Sequence, residues 1–276
     1  MFTQDKKTAL VTGASSGMGK AIARRLIQDG YQVYAAARSV EKMHDLAQLG
    51  AYPLRMDISR DEDIVVAVNT IMSQTGGVDV LVNNAGFGLY GPVEEIGIDE
   101  ARYQFEVNVF GAARLTQLLI PAMRARRSGY IINITSMGGK IYTLLGAWYH
   151  ATKHALEGWS DCLRLEVAEF GIKVVIVEPG LIETGFGDVV SGNIVKRSAN
   201  GPYTRLVEKV AKSVKNAYGN GRGSDPKVIA DVVARAVKSP HPRTRYAAGK
   251  YAKMLIRMRL WLGDRLFDRV ILGQTL

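Results

Sequence analysis

The sequence predicts an α/β fold: one doubly wound parallel sheet of about seven strands, with helices on both faces. Short apolar runs alternate with helix-length segments along residues 8–178, as strands buried on both faces require. A glycine-rich turn, TGASSGMG, joins the first apolar run to the first helix-length segment. The 276 residues suit one large domain or two small ones, and 47% hydrophobic against 22% charged residues describes an ordinary globular chain.

Each element can be read in order. TALVT (8–12) is the first strand, and GKAIARRLIQDG, ending at Gly30, the first helix. QVYAAA (32–37) is the second strand, followed by the helical VEKMHDLAQLG. YPLRM (52–56) is the third strand, followed by DEDIVVAVNTIMSQTG. All three helices close on a glycine suited to a helix C-terminus. VDVLVN (78–83), YIINIT (130–135) and KVVIVE (173–178) are strands four to six, with long helices expected over 98–127 and 149–170. Past Glu183 the alternation lapses into polar, Gly- and Lys-containing sequence. Residues 185–225 are therefore expected to be a mobile segment covering the site. Asp225-Pro226 opens a further helix, because proline suits a first turn, and RYAAG (245–249) is the seventh strand. Residues 1–250 then form the domain, and 251–276 a C-terminal extension.

The net charge of +10 is unevenly placed. Residues 1–195 carry 18 Lys and Arg against 21 Asp and Glu, whereas residues 196–276 carry 18 against 5. A basic C-terminal region favours acidic partners such as anionic lipid or a phosphorylated carrier; a solvated basic surface is the plainer alternative. Nucleic acid is not expected as a partner, because no binding module accompanies the charge. The single cysteine, Cys162, excludes an internal disulfide framework and fits a reducing compartment. Its helix position reads as core. With no signal-like start in MFTQDKKTALVTG and no apolar run of about 18 residues, a cytoplasmic location is expected.

The turn TGASSGMG places Gly13, Ser15, Ser16, Gly17, Met18 and Gly19 between strand and helix. Glycines there let the backbone approach a pyrophosphate, whose charge a helix N-terminus favours, so a dinucleotide site is expected. The second strand ends in Ala35-Ala36-Ala37 where NAD sites carry an acid for the ribose hydroxyls. Arg38 follows at once and can pair with a 2′-phosphate, with Ser39 adding a hydrogen bond, so NADP(H) is expected over NAD(H).

Tyr149 and Lys153 lie one helical turn apart, on one face. With 12 tyrosines and 15 lysines, chance alone supplies roughly two-thirds of one such pair. A second pair, Tyr246 and Lys250, does occur, but Gly249 disfavours a helix between its members. Context separates them. Ser136 stands thirteen residues before Tyr149, at the end of the apolar run YIINITS, where parallel sheets place their ligands. No metal ligands are assigned. His150 and His154, alternating with the pair, read as packing or helix-surface residues.

From residue 6 to about residue 250 the chain resembles the short-chain dehydrogenase/reductase family. The resemblance is carried by TGASSGMG, MD with Asp57, NNAG (83–86), Asn108 in VNVFG, Ser136, YHATK and PGLIET (179–184). NNAGFGLYGPVEE, HALEGWSDCLRLE and VEPGLIETGF resemble the branch of 17-beta-hydroxysteroid and retinol dehydrogenases and their bacterial relatives. The resemblance implies a Rossmann-type catalytic domain that moves a hydride between the cofactor and a ketone or secondary alcohol. Tyr149 would supply the proton, its phenol lowered from about 10 by the Lys153 cation, which would also hold the nicotinamide ribose. Ser136 would hydrogen-bond the substrate oxygen, and Asn108 would hold a water linking Lys153 to solvent. Asp57 and Ile58 would meet the adenine. Asn83, Asn84, Ala85 and Gly86 would shape the cofactor floor, and Pro179, Gly180, Ile182 and Thr184 would enclose the carboxamide. Family members associate through the two long helices, so a homodimer or homotetramer is expected.

Phe87 to Tyr90, Met137 to Gly139, Leu144 to Trp148 and the segment after Gly185 are expected to line the substrate approach. Their apolar character points to a hydrophobic ketone or alcohol. The tail KYAKMLIRMRLWLGDRLFDRVIL interleaves apolar and basic residues, with Gly263 expected to break it in two. Such a helix can lie on a membrane or pack against the domain or a second subunit; packing is preferred. The leading function is an NADPH-dependent ketone reductase or secondary alcohol dehydrogenase. The alternative is a cofactor-binding sensor or scaffold without turnover.

Overall fold

The computed structural model describes residues 6–198, 201–218 and 221–275. The first residues of the leader reading, two pairs within 185–225, and Leu276 lie outside the described residues.

Seven parallel strands form one sheet in the order β3-β2-β1-β4-β5-β6-β7. They are β1 Thr8–Thr12, β2 Gln32–Ala37, β3 Tyr52–Arg55, β4 Val80–Asn83, β5 Gly129–Ile134, β6 Ile172–Pro179 and β7 Arg245–Ala248. The order reverses at β1, which pairs with β2 on one side and β4 on the other. The crevice at a topological switch point, outside the carboxyl ends of the strands, is where such sheets bind ligands.

Strand side chains alternate between two cores. Ala9, Val11, Val33 and Ala35 face one layer, packed against Ile22 and Leu26 of α1 (Gly17–Gln28) and Ile229 and Val233 of α9 (Lys227–Lys238). Leu10, Tyr34 and Leu81 face the other. There they meet Ile64 and Ile71 of α3 (Asp61–Thr75), Leu115 and Leu119 of α5 (Gly111–Ala125), and Leu163 of α6 (Ala147–Val167). Burial on both faces explains why these strands read as unbroken apolar runs. α9 begins where Asp225-Pro226 predicts, and the Lys227 N–H donates to the Asp225 carboxylate at 2.7 Å.

Four segments differ from the sequence reading. Residues 40–50 divide into a 3₁₀ turn, Val40–Met43, and the short α2 (His44–Gln48). The long helix expected over 98–127 is α4 (Ile98–Phe105), one π turn over Glu106–Phe110, and α5. Residues 185–225, expected to be a mobile covering segment with no element assigned, contain α7 (Phe186–Arg197) and α8 (Thr204–Tyr218). Val190 and Ile194 of α7 pack with Val207 and Val210 of α8, an i,i+4 pair and an i,i+3 pair that polar neighbours mask in the sequence. Finally, Cys162 is exposed rather than core. The buried stripe of α6 runs through Tyr149, Lys153, Leu156, Ser160, Leu163 and Val167, and Cys162 falls off it.

α10 (Ala252–Thr275) is interrupted at Gly263 (φ 66°), as predicted. Its inward side chains Leu255, Phe267 and Ile271 close on Ile141, so one face of the tail packs against the domain.

Candidate active site

The carboxyl ends of the strands open into a continuous cavity of about 1560 Å³. One end is the glycine turn. Gly13 has φ +67° and Gly17 φ +51°, the left-handed region that favours glycine. A Cβ on Gly19 would collide with the Gly13 carbonyl and the Asn84 side chain. The first turn of α1 holds no acid, and Ser16, its N-cap, makes no side-chain cap bond, so its N–H groups are available to an anion. Ser15, Met18, Asn84, Ala85 and Gly86 join these glycines on the wall.

The floor is fixed by Thr12. Its hydroxyl oxygen accepts from the N–H groups of Asn84 (3.0 Å) and Ala85 (2.9 Å), and Asn84 Nδ2 donates to the Thr12 carbonyl at 2.9 Å. Asn83 does not reach the cavity, which corrects its expected place on the floor. Its amide instead donates to Thr116 and Asn133, tying β4 to its neighbours.

At the end beyond β2, Ala36, Ala37, Arg38, Ser39, Asp57 and Ile58 line the cavity. Burial would raise the Asp57 carboxyl, but the Ser59 N–H and hydroxyl, with the Arg38 and Arg60 charges, outweigh it and hold it below the usual range. Sequence reasoning missed Lys42, which lines the same end from the 3₁₀ turn. A second cation four residues after Arg38 was the available signal. Pro179, Gly180, Ile182 and Thr184 line the cavity too, with Thr184 beside Gly17 of the glycine turn.

Ser136 and Tyr149 line the same cavity. The end of β5 delivers Ser136, whose Oγ accepts from the Gly138 N–H at 2.9 Å and also bonds with Tyr149. Tyr149 reaches the cavity from the first turn of α6. Burial pushes its phenol above 10, against the opposing hydrogen bond from Ser136. Lys153 is buried beneath it, with Nζ donating to the Ile134 carbonyl at 3.0 Å and lying 6.0 Å from the Tyr149 ring centre. Burial brings its ammonium down to about 8, with Glu157 opposing. The expected lowering of the Tyr149 phenol by Lys153 is thus not what this geometry gives: the ammonium is turned toward a carbonyl, and desolvation dominates.

Asn108, in the π turn, grips the Phe87 backbone. Its Oδ1 accepts from the Phe87 N–H at 3.0 Å, and its Nδ2 donates to the Phe87 carbonyl (2.9 Å) and to Thr152 (3.0 Å). A Cβ on Gly86 would lie 3.1 Å from Asn108 Oδ1 and 3.7 Å from Lys153 Nζ, so the bare glycine keeps this corner open. His150 packs as expected. Its Nε2 accepts from the Thr143 N–H at 3.1 Å, which leaves Nδ1–H to donate to the Gly138 carbonyl at 2.9 Å. Burial drops it to about 4, so the ring is neutral and braces the loop after Ser136. His154 is on the helix surface. Behind the loop, Glu157 accepts from the Thr135 hydroxyl at 2.6 Å and pairs with Lys140 (3.0 Å) and Arg245 (3.1 Å).

The wall beside Tyr149 is aromatic. The Tyr149 ring centre is 5.6 Å from that of Tyr90 and 5.5 Å from that of Phe186, and Tyr218 follows 6.0 Å beyond Phe186. Phe87, Gly88, Tyr90, Met137, Gly138 and Leu144 line the cavity as expected. Leu89, Gly139 and Leu145 to Trp148 do not. Leu145, in the turn before α6, faces the α7–α8 cluster, and Trp148, in the first turn of α6, packs against Leu89.

The arrangement offers a protonated phenol and a hydroxyl beside an apolar wall, with an anion-binding turn in the same cavity. The model of the short-chain dehydrogenase family matches residues 7–193. The 3-ketodihydrosphingosine reductase of Bacteroides thetaiotaomicron is 34% identical over 261 residues, 94% of this chain and 94% of that protein. Human 17-beta-hydroxysteroid dehydrogenase type 1 is 33% identical over 270 residues, covering 92% of this chain and 81% of its own. A solved short-chain dehydrogenase from Streptomyces avermitilis superposes with a TM-score of 0.84 at 36% identity, covering 99% of both chains. The chain belongs to the short-chain dehydrogenase family, oxidoreductases that act on CH–OH and C=O groups.

Proposed function

We propose that the protein reduces a hydrophobic ketone, or oxidises the corresponding secondary alcohol, with NADP(H). The observation that carries this reading is the continuity of one cavity, from Arg38 and Lys42 through Tyr149 to the wall of Tyr90, Phe186 and Tyr218. Two cations and no ribose-binding acid at the β2 tip favour a 2′-phosphate. The bare turn at Gly13 and Gly19 and the open N-terminus of α1 fit a pyrophosphate.

A nicotinamide held by these residues would supply or accept the hydride. Tyr149 holds the proton for the developing alkoxide, and burial keeps that proton in place through neutral pH. Ser136, anchored by the Gly138 N–H, offers its hydroxyl proton to the same oxygen as charge develops. Lys153 and Asn108 support the pair from below. The similarity to proteins named for a ketosphingoid base and a hydroxysteroid agrees with a bulky apolar substrate. No observation favours a role without turnover. Exposed Ile98, Phe110 and Leu165 on α4, the π turn and α6 support association through these helices.

A panel of ketones and alcohols assayed with NADPH and NADH tests the reading. Tyr149→Phe should abolish ketone-dependent NADPH oxidation while leaving NADPH binding intact; unchanged turnover would refute the proton role.

A further inference from the structure

The two faces of α10 differ in what they need. The inward face is satisfied by Ile141, through Leu255, Phe267 and Ile271. On the opposite face, Lys253, Arg257, Leu260 and Trp261 stand at i,i+3 and i,i+4 spacing, all exposed. Trp261 is 85% exposed and Leu260 73%, and past the break at Gly263 Leu266 and Leu272 are exposed as well. Single exposed apolar residues are ordinary, but adjacent leucine and tryptophan held outward on an ordered helix are not.

Charge identifies the partner. The two acids of the tail are occupied within the fold: Asp264 pairs with Arg259 at 2.6 Å, and Asp268 accepts from the Tyr142 hydroxyl at 2.8 Å. Arg259 also lies over the Tyr142 and Phe267 rings, at 5.3 and 5.9 Å. Lys253, Arg257, Arg265 and Arg269 make no ion pair among the described residues. Four uncompensated cations therefore share the exposed side of the tail with Leu260 and Trp261. A second copy of the chain docking through this face would bring four more cations against them. An anionic lipid surface instead pairs the cations with phosphates and takes the indole ring at headgroup depth.

We infer that the outward face of α10 docks the protein on an anionic lipid bilayer. Among the described residues no helix is long and apolar enough to cross a membrane, so α10 lies on the surface. Tyr251, Met254, Leu255 and Ile271 also line the large cavity, so the docking element borders its mouth. If the proposed ketone chemistry holds, this places the opening beside lipid-dissolved substrate.

The test is co-sedimentation of the full-length chain with phosphatidylcholine vesicles, with and without about a third phosphatidylglycerol. The protein should pellet only with the anionic vesicles. Lys253→Gln with Arg257→Gln should lower partitioning about thirtyfold. Leu260→Ser with Trp261→Ser should lower it at least as much. Both double variants leave Leu255, Phe267 and Ile271 in place, and far-UV circular dichroism checks that they fold. Equal pelleting of the Leu260/Trp261 variant, or equal pelleting with neutral vesicles, would overturn the proposal. So would a wild-type dimer that ignores vesicles and dissociates in that variant, which gives the face to a second copy. Loss of ketone turnover in the wild type would sink the proposed chemistry while leaving the partitioning result standing.

Discussion

Replacing Lys153 with methionine is expected to stabilise the fold while ending turnover. The side chain is 6% exposed, and burial moves its ammonium from 10.5 to about 8. By linkage, that difference penalises the folded state by about 3 kcal/mol near neutral pH. Methionine, of similar length, removes the penalty. It also gives up the bond from Nζ to the Ile134 carbonyl, at a cost of about 1 kcal/mol, so the net gain is about 2 kcal/mol. The unfolded chain holds this proton up to 10.5, the folded chain only up to about 8. The penalty is therefore complete below about 8 and is relieved as pH rises from there to 10.5. Urea denaturation of wild type and Lys153→Met, followed by tryptophan fluorescence near pH 7 and again near pH 10, reads both quantities. The variant should be more stable near pH 7, with its advantage shrinking at the higher pH. A variant less stable near pH 7, or an advantage that does not change with pH, would refute the reasoning.

Other outcomes follow from the same geometry. Arg38→Ala with Lys42→Ala should raise the KM for NADPH about tenfold to a hundredfold, since charge-assisted bonds to a phosphate contribute roughly 1.5–3 kcal/mol, and leave the KM for NADH nearly unchanged. Parallel loss with both cofactors would remove these cations from phosphate recognition. Gly19→Ala should abolish cofactor binding in a fluorescence titration while circular dichroism stays native, because its methyl group meets the Gly13 carbonyl and Asn84. Phe186→Ala removes one ring from beside Tyr149, and should lower the KM for ketones too bulky for the wild type while raising it for small aryl ketones. An unaltered ketone ranking would place the substrate elsewhere.

What was legible in the sequence were features set by local pattern. The strands, the turn at Gly13, Ser136 at a strand end and the break at Gly263 each follow from burial period or backbone freedom within a few residues. What was not legible needed distant partners. α7 and α8 form because Val190, Ile194, Val207 and Val210 find one another, over a sequence whose polar residues hide the stripe. The π turn around Asn108 leaves no compositional mark, and its purpose is visible only in the grip on Phe87, twenty-one residues earlier. Asn83 and Asn84 are adjacent and chemically identical, yet only the fold shows that one ties strands together and the other faces the cavity. Cys162 was misplaced because the phase of a helix cannot be fixed until its neighbours are known.

The spacing of Tyr149 and Lys153 alone suggests a cation that steadily acidifies a phenol. The geometry shows two buried groups whose charged forms are both disfavoured, the phenol pushed up and the ammonium pulled down to about 8. Lys153 is spending its hydrogen bond on Ile134, with its charge 6.0 Å from the Tyr149 ring. A pair so arranged stabilises a neutral phenol while nothing reacts. Once Tyr149 gives up its proton, the phenolate is a new negative charge in a poorly solvated site, and the nearby ammonium then gains most. At an effective dielectric constant near 20, two unit charges a few ångströms apart attract by about 2–4 kcal/mol, an interaction absent while the phenol is neutral. Stabilisation that appears only as the proton leaves lowers the barrier without tightening the ground state. The same burial that makes Lys153 a burden on the fold is what makes its charge effective at that moment, which is why Lys153→Met should trade activity for stability.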